Sequence, residues 1–191
     1  MLSLETIQSI AEMYEELWKV DVESYMPLET MKWAYQQTCA GKDPWTGLGC
    51  FSHAWYGYAR DRRADLVREP IEKPEQETEH TRRWAAFSAA SVEFLCERYH
   101  VPCPEWVHDP TYTLAQPWWR TLHEAGPEMK KSLRETTPTP FARRNIFCGN
   151  RIFQNKYELF EWTKEAMEMG MTEPGDICGY VHQKEVEIHG G

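Results

Sequence analysis

Trp84-Ala85-Ala86-Phe87-Ser88-Ala89-Ala90-Ser91-Val92-Glu93-Phe94-Leu95-Cys96-Glu97-Arg98-Tyr99 decides the fold. It runs into His100-Val101-Pro102-Cys103-Pro104-Glu105-Trp106, then Asp109-Pro110 and the pair Trp118-Trp119. Trp84, Ala85, Ser88, Val92, Leu95, Cys96 and Tyr99 recur at spacings of one, three and four, which lays them on one broad face of an α-helix. Pro102 and Pro104 forbid continued helix and hold the following aromatics on an extended path. Tryptophans at 84, 106, 118 and 119 require apolar partners, which helices on either side can supply. The predicted class is mainly α: an irregular multi-helix domain with a Pro/Trp-rich loop segment.

Outward from this stretch, Leu4, Ile7, Ile10, Ala11, Tyr14, Leu17 and Trp18 form a helical stripe behind an ordinary Ser3 cap. Pro27 suits the first turn of a second helix, Leu28 to about Ala40, with Gly41 closing it. Asp43-Pro44 reads as cap and first residue of a third, with Trp45, Leu48, Phe51, Trp55 and Tyr58 inward. Gly47, Gly49 and Gly57 each cost about 1 kcal/mol relative to Ala in a helix interior, so they imply close helix packing or an irregular helix. Residues 61–67 read as a short helix ended by Pro70.

The chain divides into an N-terminal helical region (1–68), an acidic Pro-containing linker (69–79), a Trp/Pro-marked helical domain (80–170) and a tail (171–191). In the third part, Gly126-Pro127 starts a helix that ends before Pro138, and Thr139-Pro140 starts another. Ile146-Phe147-Cys148 reads as a short strand or a buried loop. Tyr157 to Met169 reads as a helix with Leu159, Phe160, Thr163, Ala166 and Met167 inward, ended by Gly170. In the tail, Ile177–His182 and Glu185–Ile188 have strand-like composition, which leaves a small C-terminal β-hairpin or a frayed end.

The 191 residues carry a formal net charge of -9, which disfavours nucleic acid as a partner because phosphates are repelled. Leu28 to Ala40, where a recognition helix would lie, has Lys32 as its one basic residue. The six cysteines, at 39, 50, 96, 103, 148 and 178, follow no disulfide framework, and the acids Glu5, Glu12, Glu15 and Glu16 are unlike a secretory leader. Reduced thiols and a cytoplasmic location are expected, with no membrane span.

Cys96, His100, Cys103 and His108 are zinc-ligand types lying close together, although their spacing matches no standard finger; buried packing residues are the other reading. Cys103, or Cys148 beside Gly149, could serve as a nucleophile only if the fold brings a histidine to it. The arginines at 60, 62, 63, 82 and 83 sit beside acids and read as local ion pairs. Arg143-Arg144-Asn145 has no acid between Glu135 and Glu158, so it is either a recognition pair or the partner of a distant internal acid. Walker, dinucleotide and serine-elbow patterns are absent from the sequence.

Asp61-Arg62-Arg63-Ala64-Asp65-Leu66-Val67-Arg68-Glu69-Pro70, Trp84-Ala85-Ala86-Phe87, Val92 to Arg98, Pro102-x-Pro104-x-Trp106-x-x-Asp109-Pro110, Pro117-Trp118-Trp119 and Thr137-Pro138-x-Pro140-Phe141-x-Arg143-Arg144-Asn145-Ile146-Phe147 together resemble a family of Gram-positive bacterial proteins of undefined activity. The resemblance covers roughly residues 45 to 153. It implies a helical N-terminal region before a Trp/Pro-marked helical domain, and some relatives are antitoxin-like or linked to helix-turn-helix regulators. Composition and resemblance together give the expectation of a non-catalytic interaction or regulatory protein that covers a basic protein partner. Its binding residues would be Arg143, Arg144, Asn145, Trp106, Trp118 and Trp119, with no cofactor. The alternative is a Cys-dependent or zinc-dependent enzyme using Cys96, His100, Cys103 and His108.

Overall fold

The computed structural model describes residues 27–121 and 124–189. The first expected helix, Leu4 to Trp18, lies outside the described residues. Among those described, the chain is helical apart from one two-stranded parallel sheet.

The helices are α1 (Met31–Cys39), α2 (Pro44–His53), α3 (Arg63–Val67), α4 (Glu79–Tyr99), α5 (Pro127–Thr136), α6 (Thr139–Ala142), α7 (Lys156–Glu168) and α8 (Pro174–His189). Helix α1 begins later than Pro27 suggested. Thr30 takes extended geometry and its hydroxyl accepts from the Trp33 N–H, which fixes the start at Met31. Its end is as expected, with Gly41 at φ 83°. Asp43 caps α2, its carboxylate accepting from the Trp45 N–H at 2.8 Å, with Pro44 in the first turn.

Both readings of the glycines in this region are realised. A Cβ on Gly47 would stand 2.6 Å from the Ala34 carbonyl oxygen, so α1 and α2 touch backbone to backbone there. Gly57 falls within Ala54–Tyr58, where α2 continues as a π-helical turn.

Helix α4 is the axis of the fold. Thr78 and Thr81 form a reciprocal capping box, and His100 closes the helix in the left-handed region at φ 54°. Every residue from Trp84 to Glu93 is buried, so the helix is enclosed on all sides rather than along one face. Alanine and serine at 85, 86, 88, 89, 90 and 91 let neighbours approach closely, while Trp84, Phe87, Val92 and Leu95 fill the space between them. One hydrophobic cluster extends from Met31 to Phe153 and includes Ile71. The 69–79 segment is irregular, as its composition implies. It is tied to the body by Ile71 and by Lys32, which pairs with Glu69 at 2.8 Å and Glu72 at 2.7 Å.

The strands β1 (Trp118–Trp119) and β2 (Ile146–Phe147) pair in parallel, Trp118 opposite Ile146 and Trp119 opposite Phe147. Asn145 stands at φ 61° before β2, and its amide donates to the Leu114 carbonyl at 2.6 Å.

The C-terminal segment is a helix, Pro174–His189, which corrects both readings of it, the small hairpin and the frayed end. Ile177, Val181 and Ile188 gave it strand-like composition, but docking against α7 overrides that local preference. Lys184 pairs with Glu165 at 2.9 Å, Glu185 with Arg98 at 2.9 Å, and His189 with Glu158 at 2.8 Å. A hairpin would scatter these partners.

The glycines of α2 give a paired test. Gly47→Ala should destabilise the protein by about 1–3 kcal/mol, because backbone cannot yield to the added methyl. Gly49→Ala, whose Cβ meets nothing within 4 Å, should stabilise it by about 0.5–1 kcal/mol. Chemical denaturation of the two variants measures both signs.

Candidate interaction surface

Arg143 and Arg144 follow the short helix α6, which turns them back onto the middle of α4. Arg144 is 3% exposed and faces Glu93, itself 2% exposed. One Arg144 nitrogen, Nη1, donates to Glu93 Oε2 at 2.6 Å and to the Pro140 carbonyl at 2.6 Å; Nη2 donates to the Val107 carbonyl at 2.6 Å. Burial lowers the pKa of Arg144, and the Glu93 carboxylate acts in the opposite direction. Arg143, with a side chain 45% exposed, donates to the other Glu93 oxygen and to His108 Nδ1. The pair therefore takes the internal role: the distant acid is Glu93.

Asn145 is likewise committed to the backbone. Trp106 donates from its indole N–H to the Val67 carbonyl at 2.9 Å and packs edge-on to Tyr112. Trp118 lies among Trp84, Phe87 and Arg120, and Trp119 stacks on Phe147 with centroids 4.5 Å apart and Arg134 nearby.

The cysteine–histidine set does not assemble as a group. Cys96 and Cys103 are adjacent, and burial raises both thiols, Cys96 to about 12. His100 is the exposed cap of α4, and exposed His108 turns to Arg143. Among the described residues no group of three or more His, Cys, Asp or Glu is placed to hold a metal ion. Cys148 is also raised to about 12 by burial, and its backbone N–H donates to Thr137. The flanking arginines do pair locally, Arg62 and Arg68 with Asp65, Arg82 with Glu77 and Arg83 with Glu79. Arg60 and Arg63 depart from that reading: Arg60 donates to the Tyr56 carbonyl, and Arg63 donates to the Trp55 carbonyl and lies 4.2 Å from the Tyr99 ring centroid.

A surface with exposed apolar side chains lies on α7. Asn155 caps this helix, accepting from the Tyr157 and Glu158 N–H groups, and its amide donates to the Tyr99 hydroxyl. That anchor sets the rotation of the helix. Trp162 and Ala166 turn inward, while Phe160 stands 67% exposed and Met167 60% exposed. Both had been expected inward, so the structure corrects the assignment. Phe160, Lys164 and Met167 follow one another at spacings of four and three along the open face, with Glu161 beside them and Glu168 3.7 Å from Lys164; Tyr157, one turn earlier, is engaged with His53 at 2.9 Å.

Charge sharpens the contrast between this face and the body. Residues 156–191 contain eight acids against three lysines, whereas residues 27–155 contain 16 acids against 17 lysines and arginines. The C-terminal helical pair therefore carries net negative charge next to a nearly neutral body. Among the described residues no helix is long and apolar enough to cross a membrane. No family model matches the chain, and neither a curated protein nor a solved structure matches it.

Arg144→Ala should cost about 3–5 kcal/mol, since it leaves Glu93 charged and buried without its one buried cationic partner among the described residues. Arg143→Ala, removing the more exposed pairing, should cost about 1 kcal/mol or less. Urea denaturation of the two single variants separates a structural Arg144 from one needed only for recognition.

Proposed function

We propose that the protein is a non-catalytic interaction protein whose α7 face docks a basic protein partner. The observation that carries this reading is the open pair Phe160 and Met167, 67% and 60% exposed, on an acidic helical pair. Aromatic and methionine side chains are enriched at interfaces, and burying Phe160 and Met167 would contribute about 1.5–3 kcal/mol each. Glu161 and Glu168 flank the anchors, where they would steer and register lysines or arginines of the partner. A basic amphipathic helix or loop satisfies both requirements. An acidic partner would meet the net negative charge of this helical pair, eight acids against three lysines in residues 156–191.

The resemblance to antitoxin-like proteins points in the same direction, toward a partner whose activity is controlled by occlusion. In this reading the Trp/Pro-marked body and the Glu93–Arg144 pair form the scaffold. The interface lies on the C-terminal helices, away from the residues whose composition first suggested one.

The test is purification of the full chain from its host at low salt, with bound proteins identified by mass spectrometry and binding remeasured with the separated components. The expected result is a stoichiometric partner with a sequence pI above about 9, released as ionic strength rises. Phe160→Ser with Met167→Ser should abolish binding while leaving stability within about 0.5 kcal/mol, because both side chains are solvated in the free protein. Unchanged binding in that double variant, or an acidic partner held independently of salt, would sink the proposal.

A further inference from the structure

Arg120 emerges from β1 into a cleft of about 750 Å³ bordered by Trp45, His80, Arg83, Trp84 and Trp118. Its guanidinium carbon lies 4.8 Å from the Trp84 ring centroid, 5.2 Å from those of Trp45 and Trp118, and 5.9 Å from that of Phe87. The rings hold the side chain in place by cation–π attraction and remove it from water. Its Nε is fully buried and has no hydrogen-bond partner among the described residues. A buried donor without an acceptor is costly, and a cation more so.

The nearby acids are already engaged. Asp43 caps α2 by accepting from the Trp45 N–H, and Glu79 is paired with Arg83. The cleft also lies where α2 and α4 begin, at Pro44 and Glu79, so the positive ends of two helix dipoles face it. Two groups therefore remain open to a ligand: the partly buried Arg120 guanidinium, without a carboxylate among the described residues, and the exposed part of Trp45 beside it.

We infer that this cleft binds a small organic monoanion, an aromatic carboxylate whose carboxyl group pairs with Arg120 and whose ring packs on the exposed part of Trp45. Of the two arginines lining the cleft, Arg83 is paired with Glu79 and Arg120 has no carboxylate partner among the described residues, which matches one negative charge. Asp43 and Glu79 on the rim disfavour a second, which argues against a phosphate dianion or a polyanion. The flat indole walls select a planar body over a branched aliphatic one, because rings stack or meet edge-on at these walls. This site is separate from the α7 face, and either can fail without the other.

Calorimetric titration of the full chain with indole-3-acetate and with its neutral counterpart indole-3-acetamide provides the test. The acid should bind at least about tenfold more tightly than the amide, the difference expected for one charge-assisted contact. Arg120→Met, which keeps the stem between the rings, should remove that preference, and Arg120→Lys should retain part of it. Equal affinity for acid and amide would overturn the proposal, as would absence of binding at millimolar acid. If Arg120→Met does not fold, the acid–amide comparison on the unaltered protein still decides. An unchanged preference in a folded Arg120→Met would also overturn the assignment.

Discussion

Glu93 is a carboxylate in the middle of a helix buried on every side, and the arrangement of the middle of the chain depends on how its charge is met. An ionised carboxylate there is tolerable only if paired and hydrogen-bonded. Arg144 meets that requirement, and its remaining donors reach the carbonyls of Val107 and Pro140. One guanidinium thus joins α4, the Pro-marked segment before Asp109 and the turn carrying α6. Because Arg144 is fixed, Asn145 follows at a set position in the left-handed region, and its contacts with Leu114 and Trp118 bring β1 alongside β2. A two-residue sheet would be marginal alone; here it is held from both ends.

Aromatic packing extends the same constraint. Phe87 meets Trp84, Trp118, Phe141 and Phe153, so a single ring of α4 touches side chains from three later segments. The small residues between the aromatics of α4 make this approach feasible, since a second layer of large side chains would hold the segments apart. Tyr99, at the end of the helix, passes the contact to α7 and α8 through Asn155 and His189. The C-terminal pair is thereby anchored at its base while the Phe160 face remains open.

Much of the helical framework could be read from local chemistry. Asp43-Pro44, Gly41, Gly126-Pro127 and Gly170 act through backbone preferences that operate within a few residues, and the structure places helix ends at or beside each of them. Thr30 displaced the expected start of α1 because two start signals, Pro27 and Thr30, competed within one turn and only the packed chain chose between them. The rotation of α7 was not legible either. Its sequence offers two apolar faces, one with Trp162 and Ala166 and one with Phe160 and Met167. The choice was made by Asn155 bonding to Tyr99, a residue far away in sequence. Glu93 left one faint signal, a lone acid inside a run of small and apolar residues. Arg120 left almost none, since a basic residue after two tryptophans is ordinary.

By itself the sequence determined that this chain is mainly helical, where most of its helices start and stop, and that its tryptophans and prolines mark the middle of the fold. These follow from turn, cap and periodicity rules that need no distant partner. Tertiary structure alone decided that Arg144 is interior, that the last segment is a helix rather than a hairpin, and which apolar face of α7 meets water. Each of those outcomes is set by contacts between residues dozens of positions apart, where burial and charge pairing outweigh local preference.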